Sequence, residues 1–463
     1  MAVPGQTKAH DQASSGVLSL DDLIDGQRAG GDKLALLAVA ILVLFCDGFD
    51  LAAMGYVVPE LTKEWGLGPA SFVSAFSAGI IGMMLGGPLL GMAGDRHGRQ
   101  RTIVAGLCAI GLSTLATLVT SEVWQLMALR FVTGVGLGGV IPNVAALVAE
   151  LSPRHLRGRM VVIATLGMPI GIAMPGLVAG MIIPFFGWKG IMLLGGLLPL
   201  LVALCVGLVV PESLRYLLGQ KDREADVRAI AMRLRPDLPL ADTLRLVDAK
   251  PTATRGSTGQ LFVGSLAVAT PLLWICQAAN QMANFFSLTW LPTLLQSAGA
   301  TTAQAGAHSS LFAIGGLLAG LLLVFALDRL GVVPVFAGFA IGTPLVLMMA
   351  DQELGPVLHG VVIFAAGLCV TGVNFGLLGL LAMFYPTPVR SLGTGWTQAA
   401  GRLGALAAPV VGGLLLQQNI PIGELTLAPA LLMAVGTMAS AVLAWLCYRK
   451  FGSLRVAEFT AQA

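Results

Sequence analysis

The chain has 463 residues, of which 56% are apolar and only 11% are charged, and its mean hydropathy is +0.84. A soluble protein of this length needs more charge to cover its surface, so the composition indicates an integral membrane protein. The formal net charge of +3 is small and dispersed, which argues against nucleic acid as a partner.

The first 32 residues are polar and contain no apolar stretch of the signal-peptide type. We expect them to form a cytoplasmic tail. The predicted division of the chain is a tail over 1–32, a six-helix bundle over 33–210, a cytoplasmic loop over 211–260, a second six-helix bundle over 261–447 and a cytoplasmic tail over 448–463.

Twelve apolar segments are long enough to be membrane-spanning helices, which need about 20 mostly apolar residues each. They lie within 34–58, 70–93, 102–121, 123–149, 160–187, 190–210, 261–291, 306–327, 331–350, 356–384, 392–416 and 427–447. The predicted fold is therefore an all-α polytopic membrane protein with twelve transmembrane helices.

Arginine is concentrated in the loops on one side of the predicted membrane. The loops after spans 2, 4, 8 and 10 carry Arg96, Arg99, Arg101, Arg154, Arg157, Arg159, Arg329 and Arg390. The loops on the other side carry only Lys63 and Lys189. Since basic loops are retained in the cytoplasm, we expect both termini to be cytoplasmic in a protein of the cell (inner) membrane. The central loop is expected to contain short amphipathic helices at the membrane interface, or else to be a solvated linker.

An internal repeat is visible in the loop residues. Asp95 and Asp328, Pro153 and Pro386, and Arg157 and Arg390 are all separated by 233 positions. The second six spans therefore repeat the first six in the same orientation. Two pseudo-symmetric six-helix halves of this kind place a binding site near the bilayer midplane between them.

The repeated loops contain aspartate beside arginine at helix ends, where ion pairs can form in one conformation and break in another. The alternative is that these arginines serve only to orient the protein in the membrane. That alternative explains the positive charge of the loops, but it does not explain the aspartates or the shared spacing. Arg402 in span 11 lies toward the cytoplasmic end, and we expect a structural or gating role for it. The predicted gating residues are Gly91, Asp95, Arg96, Gly98, Arg99, Arg157, Asp328, Arg329, Arg390 and Arg402.

Asp47, Asp50, Arg130 and Arg402 are charged residues inside predicted spans. Each costs at least about 2.5 kcal/mol at a helix centre, so such residues usually face a cavity. Asp47 and Asp50 share one face of the first helix, and Arg130 enters the fourth span from the outer side at a depth that would let it pair with Asp47. Arginine binds carboxylates through two parallel hydrogen bonds.

These charges suggest a proton-coupling mechanism. If a substrate carboxylate takes Arg130, the freed Asp47 or Asp50 binds a proton more readily, which couples one proton to one anion. The alternative is a permanent structural ion pair that joins two helices.

The seventh span supplies neutral polar side chains for the same site. Gln277, Asn280, Gln281 and Asn284 recur on one helix face, and Phe285 follows as an aromatic surface. Asn280 lies 233 positions after Asp47, and Asn374 in span 10 is a further candidate. Amides that only join helices by hydrogen bonds are the alternative.

Several motifs resemble those of known transporters. Gly91-x-x-x-Asp95-Arg96-x-Gly98-Arg99 is similar to the signature loop of the major facilitator superfamily, although Val332 follows Gly331 where the second-half loop would carry a basic residue. Asp47-Gly48-Phe49-Asp50 and the stretch 20–25 resemble the aromatic acid:proton symporter family. The resemblance implies proton-coupled import of a benzoate-like or hydroxybenzoate-like acid.

Other functions remain open at this point. The chain shows no nucleophile constellation, phosphate loop or metal-ligand spacing, so we expect no enzyme, no cofactor and no metal. The expected partners are a small aromatic carboxylate, a proton and the lipid bilayer, and the expected state is a monomer. Alternatives are a non-transporting sensor, an importer of another organic anion of the muconate or phenylpropionate type, and an exporter of a metabolite or drug.

Overall fold

The computed structural model describes residues 17–26, 31–220, 223–235, 245–247, 257–264, 266–351, 354–386, 389–418, 420 and 424–451. Within these ranges, the side chains of residues 17–18, 31–32, 245–247, 324–329, 382–383 and 450–451 are not described. The predicted C-terminal tail beyond residue 451 lies outside the described residues.

The first half contains six long helices. Their bounds are α1 Gly31–Trp65, α2 Val73–His97, α3 Arg99–Ala116, α4 Val123–Leu151, α5 Arg154–Thr165 with residues 167–186, and α6 residues 188–209. Gly187 separates α5 from α6 within the helical run Gly167–Val209, because its φ of 62° is incompatible with a helix.

The second half contains six more helices. They are α7 Leu266–Ser297, α8 Thr302–Leu330, α9 Val333–Met348, α10 Pro356–Phe384, α11 Arg390–Gln417 and α12 Leu427–Phe451. All twelve overlap the predicted spans.

Hydropathy supports a polytopic membrane protein. Within the described residues, nine helical stretches are long and apolar enough to cross a bilayer, and one of them, Arg154–Val209, contains both α5 and α6. Helix α9 is a shorter apolar helix. Helix α7 has 32 residues and carries several amide side chains among its apolar ones. Together these helices make the predicted twelve spans.

Close helix contacts confirm the internal repeat. A Cβ added to Gly134 of α4 would lie 2.0 Å from the carbonyl oxygen of Gly79 in α2, and one added to Gly367 of α10 would lie 2.0 Å from that of Phe312 in α8. These two pairs are again 233 positions apart. Two further pairs repeat with the same offset: Gly171–Phe45 with Gly404–Ala278, and Gly82–Phe131 with Gly315–Phe364. The two halves therefore pack their helices in the same way.

Each half has its own buried apolar cluster. One cluster takes its residues from Leu36 to Val210, and another takes them from Leu261 to Cys447. Two six-helix bundles with separate cores can move as bodies, because rotation of one against the other leaves both cores intact.

The arginine-rich side of the bundle, here called the basic face, carries Arg96, Arg99, Arg154 and Arg157 at the ends of α2 to α5. The side where α1 ends and α2 begins is called the opposite face. Every loop that was predicted to be basic and that the structure describes lies at the basic face.

The N-terminal segment and the central loop pack together at the basic face. The short helix Leu20–Asp25 buries Leu20, Leu23 and Ile24 against apolar residues of the short helices Leu214–Leu218 and Glu224–Leu234. Strand β1, Val17–Ser19, pairs in parallel with strand β2, Arg245–Val247. The amphipathic helix predicted for the loop is present, but its apolar side packs against the N-terminal segment. The sequence analysis predicts this segment only as a cytoplasmic tail.

Candidate functional site

A cavity lies between the two halves near the middle of the bundle, and the empty space within it and at its mouth is about 490 Å³. Its walls include Asp50, Met54, Phe76 and Arg130 from the first half, and Phe285 and Leu288 from the second. The cavity is thus mostly apolar and aromatic with one charged wall. Such a lining suits a small ring that carries one charged group.

The charged wall is a buried ion pair. Arg130 Nη1 lies 3.0 Å from Asp50 Oδ2, and both side chains are almost fully shielded from solvent. Thr114 of α3 completes the group, since its hydroxyl donates to Asp50 Oδ1 at 2.9 Å and accepts from Arg130 Nη2 at 3.1 Å. Arg130 Nε has no hydrogen-bond partner in the described structure. One donor of this guanidinium therefore remains for a further acceptor.

Asp47 has different surroundings. It is 1% exposed, and both carboxylate oxygens lack a hydrogen-bond partner in the described structure. The expected pair of Asp47 with Arg130 is therefore wrong for this conformation, because Asp50 takes that position. Three residues on α1 move a side chain about 4.5 Å along the axis, and this displacement decides which carboxylate meets the guanidinium.

Arg402 of α11 belongs to the second half and is half-buried. The described structure records no ion pair between Arg402 and Asp47. Asp47 is therefore a buried carboxyl group without a salt-bridge partner in the part of the chain that the structure describes.

The amide side chains of α7 form a polar layer below the cavity, on its basic-face side. Gln277 Nε2 donates to Asn374 Oδ1 at 3.3 Å and to Gln398 Oε1 at 2.8 Å. Asn280 Nδ2 donates to the carbonyl oxygen of Val370 at 2.8 Å. The interhelical hydrogen bonds that the sequence left as an alternative are therefore present for these two residues.

The amide groups retain hydrogen-bonding capacity beyond these bonds. The side-chain oxygens of Gln277, Asn280 and Gln281 are buried without a donor in the described structure. Asn284 is half-buried beside them, and Phe285, one residue further, reaches the cavity wall. Of the predicted substrate-binding residues, Arg130 and Phe285 line the cavity itself, whereas the five amides lie around it.

At the basic face, the loop between α2 and α3 is held by acidic side chains. Arg99 lies 2.8 Å from Glu150 of α4 and 3.3 Å from Asp95. Glu212 accepts from the backbone N–H of Gln100 at 3.0 Å and thereby caps the N-terminus of α3. These contacts join three helices of the first half.

Gly98 is required for this arrangement. Its φ of 102° is unfavourable for other residues, and an added Cβ would lie 2.2 Å from Glu212 Oε2. The motif glycine is therefore explained by close approach and by backbone conformation. Arg96 is exposed, and Gly91 has open space where a side chain would be.

The other predicted gating residues have local partners or lie outside the described residues. Arg157 approaches Asp21 of the N-terminal segment at 3.8 Å, and Arg154 and Arg215 pair with the same aspartate. Arg390 donates to the carbonyl oxygen of Tyr385 at 3.2 Å. The side chains of Asp328 and Arg329 are among those that the structure does not describe.

The two halves touch closely at the opposite face. Ser310 of α8 donates to the carbonyl oxygen of Ala173 in α5 at 2.7 Å, and Gly55 of α1 lies against the carbonyl oxygen of Leu288 in α7. Gly55 and Leu288 are themselves 233 positions apart, as expected for residues beside the axis that relates the halves. The cavity is therefore closed toward the opposite face.

Sequence reasoning assigned no site role to Thr114, Glu150, Glu212 or Asp21, although Asp21 lies in the family-like stretch 20–25. Thr114 is one hydroxyl among many in apolar spans, and it has no periodic signal. Glu150 and Glu212 lie at helix ends, where acidic residues are common. Only the tertiary contacts reveal that each one satisfies an arginine or a helix terminus.

No group of three or more histidine, cysteine, aspartate or glutamate side chains that could hold a metal occurs in the part of the chain that the structure describes. The six cysteines are all free thiols. The polar groups at the site are a carboxylate–guanidinium pair, a hydroxyl and amides, which can form ion pairs and hydrogen bonds.

Comparison with known proteins gives concordant results. Residues 40–272 and 273–458 each match the Major Facilitator Superfamily. The 4-hydroxybenzoate transporter PcaK of Pseudomonas aeruginosa is 33% identical over 424 residues, covering 91% of this chain and 95% of that protein. The gallate transporter of Pseudomonas putida is 30% identical, covering 87% and 90%.

Solved structures support the same fold. The inward-open xylose transporter XylE from Escherichia coli superimposes with a TM-score of 0.69 at 16% identity, covering 93% of this chain and 99% of that one. At this identity the likeness concerns the fold alone.

Proposed function

The chain belongs to the Major Facilitator Superfamily, and we propose that it is a secondary active transporter that imports a small aromatic carboxylate together with a proton by alternating access. Its relatives are transporters rather than enzymes, and the most similar ones are named for aromatic acids. A single chain contains both halves of the site, so we propose that the monomer is the working unit.

One observation carries this proposal: the buried Asp50–Arg130 pair forms a wall of the cavity between the halves. A permanently buried pair is costly to maintain unless both ions are fully hydrogen-bonded, and Arg130 Nε is without a partner. A substrate carboxylate that enters the cavity would compete with Asp50 for the guanidinium. This competition links anion binding to the charge of Asp50.

The aromatic walls support a ring-shaped substrate. Phe76 and Phe285 line the cavity from opposite halves, and Trp290 packs against Phe76 at 5.7 Å between ring centroids. A flat ring between two aromatic walls gains contact area at little entropic cost. Both halves would then contact one substrate molecule, as alternating access requires.

Protons would enter through the aspartates of α1. We assign proton coupling to Asp47 and Asp50, because both are buried and only one has a hydrogen-bonded cation. An aspartate without a partner exchanges a proton without first breaking an ion pair. Asp47 is therefore the proposed entry point, and Asp50 responds when substrate engages Arg130.

We further propose that the basic face is cytoplasmic in the cell (inner) membrane, which follows from retention of arginine-rich loops. The closed opposite face then makes this conformation inward-facing. We propose that Gly91, Asp95, Arg96, Gly98, Arg99, Arg157, Arg390 and Arg402 form the cytoplasmic gate, and that their charged side chains contact the other half when the halves rock closed at this face.

Counterflow of radiolabelled benzoate and 4-hydroxybenzoate in proteoliposomes tests the proposal. We expect accumulation that is trans-stimulated and that rises when an inward proton gradient is imposed. Bound label without accumulation would indicate a sensor, and no saturable interaction with any aromatic acid would reject the substrate class. Accumulation that ignores the proton gradient would reject the coupling.

A further inference from the structure

Three amide oxygens on α7 lack a donor in the described structure, those of Gln277, Asn280 and Gln281. The hydroxyl of Thr293, further along α7, is also without a partner there. Gln277 and Asn280 are fully shielded from solvent, so water is not their evident partner. A buried polar atom without a partner costs about 1–3 kcal/mol, so the position of three on one helix requires a physical explanation.

The identity of the free atom is fixed for Asn280. Its Nδ2 donates to the backbone carbonyl oxygen of Val370, which can only accept. The atom left over must therefore be the carbonyl oxygen. Gln277 Nε2 donates to the amide oxygens of Asn374 and Gln398, and its own oxygen is the atom without a partner. The amides therefore offer acceptors, while the unpartnered N–H of Trp274 lies one turn further toward the basic face.

These acceptors continue the cavity wall along α7. Gln277, Gln281, Phe285 and Leu288 follow each other at intervals of three or four residues and so lie on one face of the helix. Phe285 and Leu288 line the cavity. Gln281 is thus the next side chain below the ring-binding wall, on the side away from the opposite face.

The chain's own packing limits what can approach this layer. A Cβ on Gly401 of α11 would lie 2.8 Å from Cγ of Gln277 and 3.1 Å from Cγ of Gln281. These two side chains are therefore held in place against the α11 backbone.

From this arrangement we propose that the α7 acceptors bind a ring hydroxyl of the substrate, so that the transporter selects hydroxylated aromatic acids over unsubstituted ones. This inference rests on the proposed function. The carboxylate of the substrate meets Arg130, its ring contacts Phe285, and its phenolic O–H donates to an amide oxygen of α7, chiefly that of Gln281.

The preference for hydroxylated acids arises from the amide oxygens that have no donor in the empty protein. Benzoate fills the same cavity but leaves the amide oxygens without a donor, as they are in the empty protein. A site built to hydrogen-bond a substrate hydroxyl discriminates strongly against the analogue that lacks it. Methoxybenzoates have a ring oxygen but no O–H, and they should be treated like benzoate.

The test measures dissociation constants for benzoate, the three monohydroxybenzoates and 4-methoxybenzoate with the purified full-length protein in lipid nanodiscs. We expect at least one hydroxybenzoate to bind about tenfold or more tightly than benzoate, and 4-methoxybenzoate to resemble benzoate. Equal affinity of all five acids would overturn the inference and leave aromatic-acid transport intact.

Two variants locate the effect. Gln281→Met and Gln277→Met remove the amide group at nearly constant side-chain length, and we expect the ratio of the benzoate to the hydroxybenzoate dissociation constant to fall at least fivefold. Ser287→Ala, on another face of α7 where the hydroxyl bonds to the carbonyl oxygen of Ala283, is the matched control and should change neither affinity.

The outcomes separate the two hypotheses. An unchanged preference in both glutamine variants and in their double variant would overturn the hydroxyl assignment. Failure of every aromatic acid to bind the wild-type protein would instead reject the proposed function, and the inference with it.

Discussion

Asp47 and Asp50 lie one turn apart on α1, yet their environments differ. Asp50 is paired with Arg130 and Thr114, whereas neither oxygen of Asp47 has a partner in the described structure. Removing one member of a buried ion pair leaves the other charge uncompensated, while removing an unpaired carboxyl group leaves nothing behind. We therefore expect substitution of Asp50, but not of Asp47, to destabilise the fold.

Thermal unfolding of purified variants tests the difference. Asp50→Ala should destabilise the protein by about 3–5 kcal/mol, because Arg130 is left buried without its anion. Asp47→Ala is the matched control and should unfold at or above the wild-type temperature. Equal destabilisation by both substitutions would contradict the assignment of the pair.

Proton-driven uptake tests the role of both aspartates. Asp47→Asn and Asp50→Asn keep the side-chain shape but cannot take part in protonation, so we expect both to abolish uptake driven by a proton gradient. Membrane abundance of each variant, measured by immunoblotting, is the control. Wild-type uptake rates in both variants would remove the coupling hypothesis.

The role of the Arg130 guanidinium in substrate binding can also be tested. Lysine keeps the charge but cannot contact Asp50, Thr114 and a substrate carboxylate at once, because it lacks the planar fork. Arg130→Lys should therefore weaken the binding of aromatic carboxylates about tenfold or more, measured by calorimetry. An unchanged dissociation constant would make Arg130 a purely structural residue.

At the scale of single elements, the loop between α2 and α3 illustrates what a motif can and cannot predict. The pattern from Gly91 to Arg99 predicted a gate from aspartate and arginine alone. The structure adds Glu150 and Glu212, which lie 51 or more positions away and hold the loop through Arg99 and the α3 N-terminus. No local pattern predicts such distant partners, because they are brought together only by helix packing.

Gly98→Ala tests the role of the loop between α2 and α3 directly. An added methyl group meets Glu212 and forces a φ that alanine rarely adopts, so the α3 cap should be lost. We expect most transport activity to disappear and stability to fall by about 1–3 kcal/mol. Gly158→Ala, at a position of the same face with open space, should behave like wild type. Similar effects of both changes would refute the explanation.

Helix α7 also shows which features sequence periodicity predicts and which depend on helix packing. The spacing of its four amides predicted one polar face, and the structure places Gln277 and Asn280 in contact with α10 and α11. Periodicity predicts a face, but it does not state which neighbour that face meets. That choice belongs to the arrangement of the six helices of the half.

For the whole molecule, closure of the opposite face depends on contacts between α5 and α8. Gly180 and Ala303 face each other there, with a Cβ on Gly180 lying 2.8 Å from that of Ala303. Because the Cβ atoms of a disulfide lie about 3.5–4.5 Å apart, the two helices must separate by about 1 Å to form one. A covalent bond at this position would fix the halves in the closed arrangement.

The double variant Gly180→Cys with Ala303→Cys tests the rocking of the halves. After oxidation we expect uptake to fall by at least tenfold, since the opposite face cannot open, and to recover when a reductant is added. Each single cysteine variant serves as the control for the six native thiols. Full activity of the cross-linked protein would show that the halves need not separate there.

The twelve spans, the 233-residue repeat, the basic face and the residues that are costly to bury can be predicted from local segments, because bilayer thickness, charge retention and desolvation act on such segments. Helix packing, in contrast, sets the pairing of Arg130 with Asp50 rather than Asp47 and the packing of the N-terminal segment against the central loop. These outcomes depend on helix rotation and depth, where a shift of one turn exchanges one partner for another.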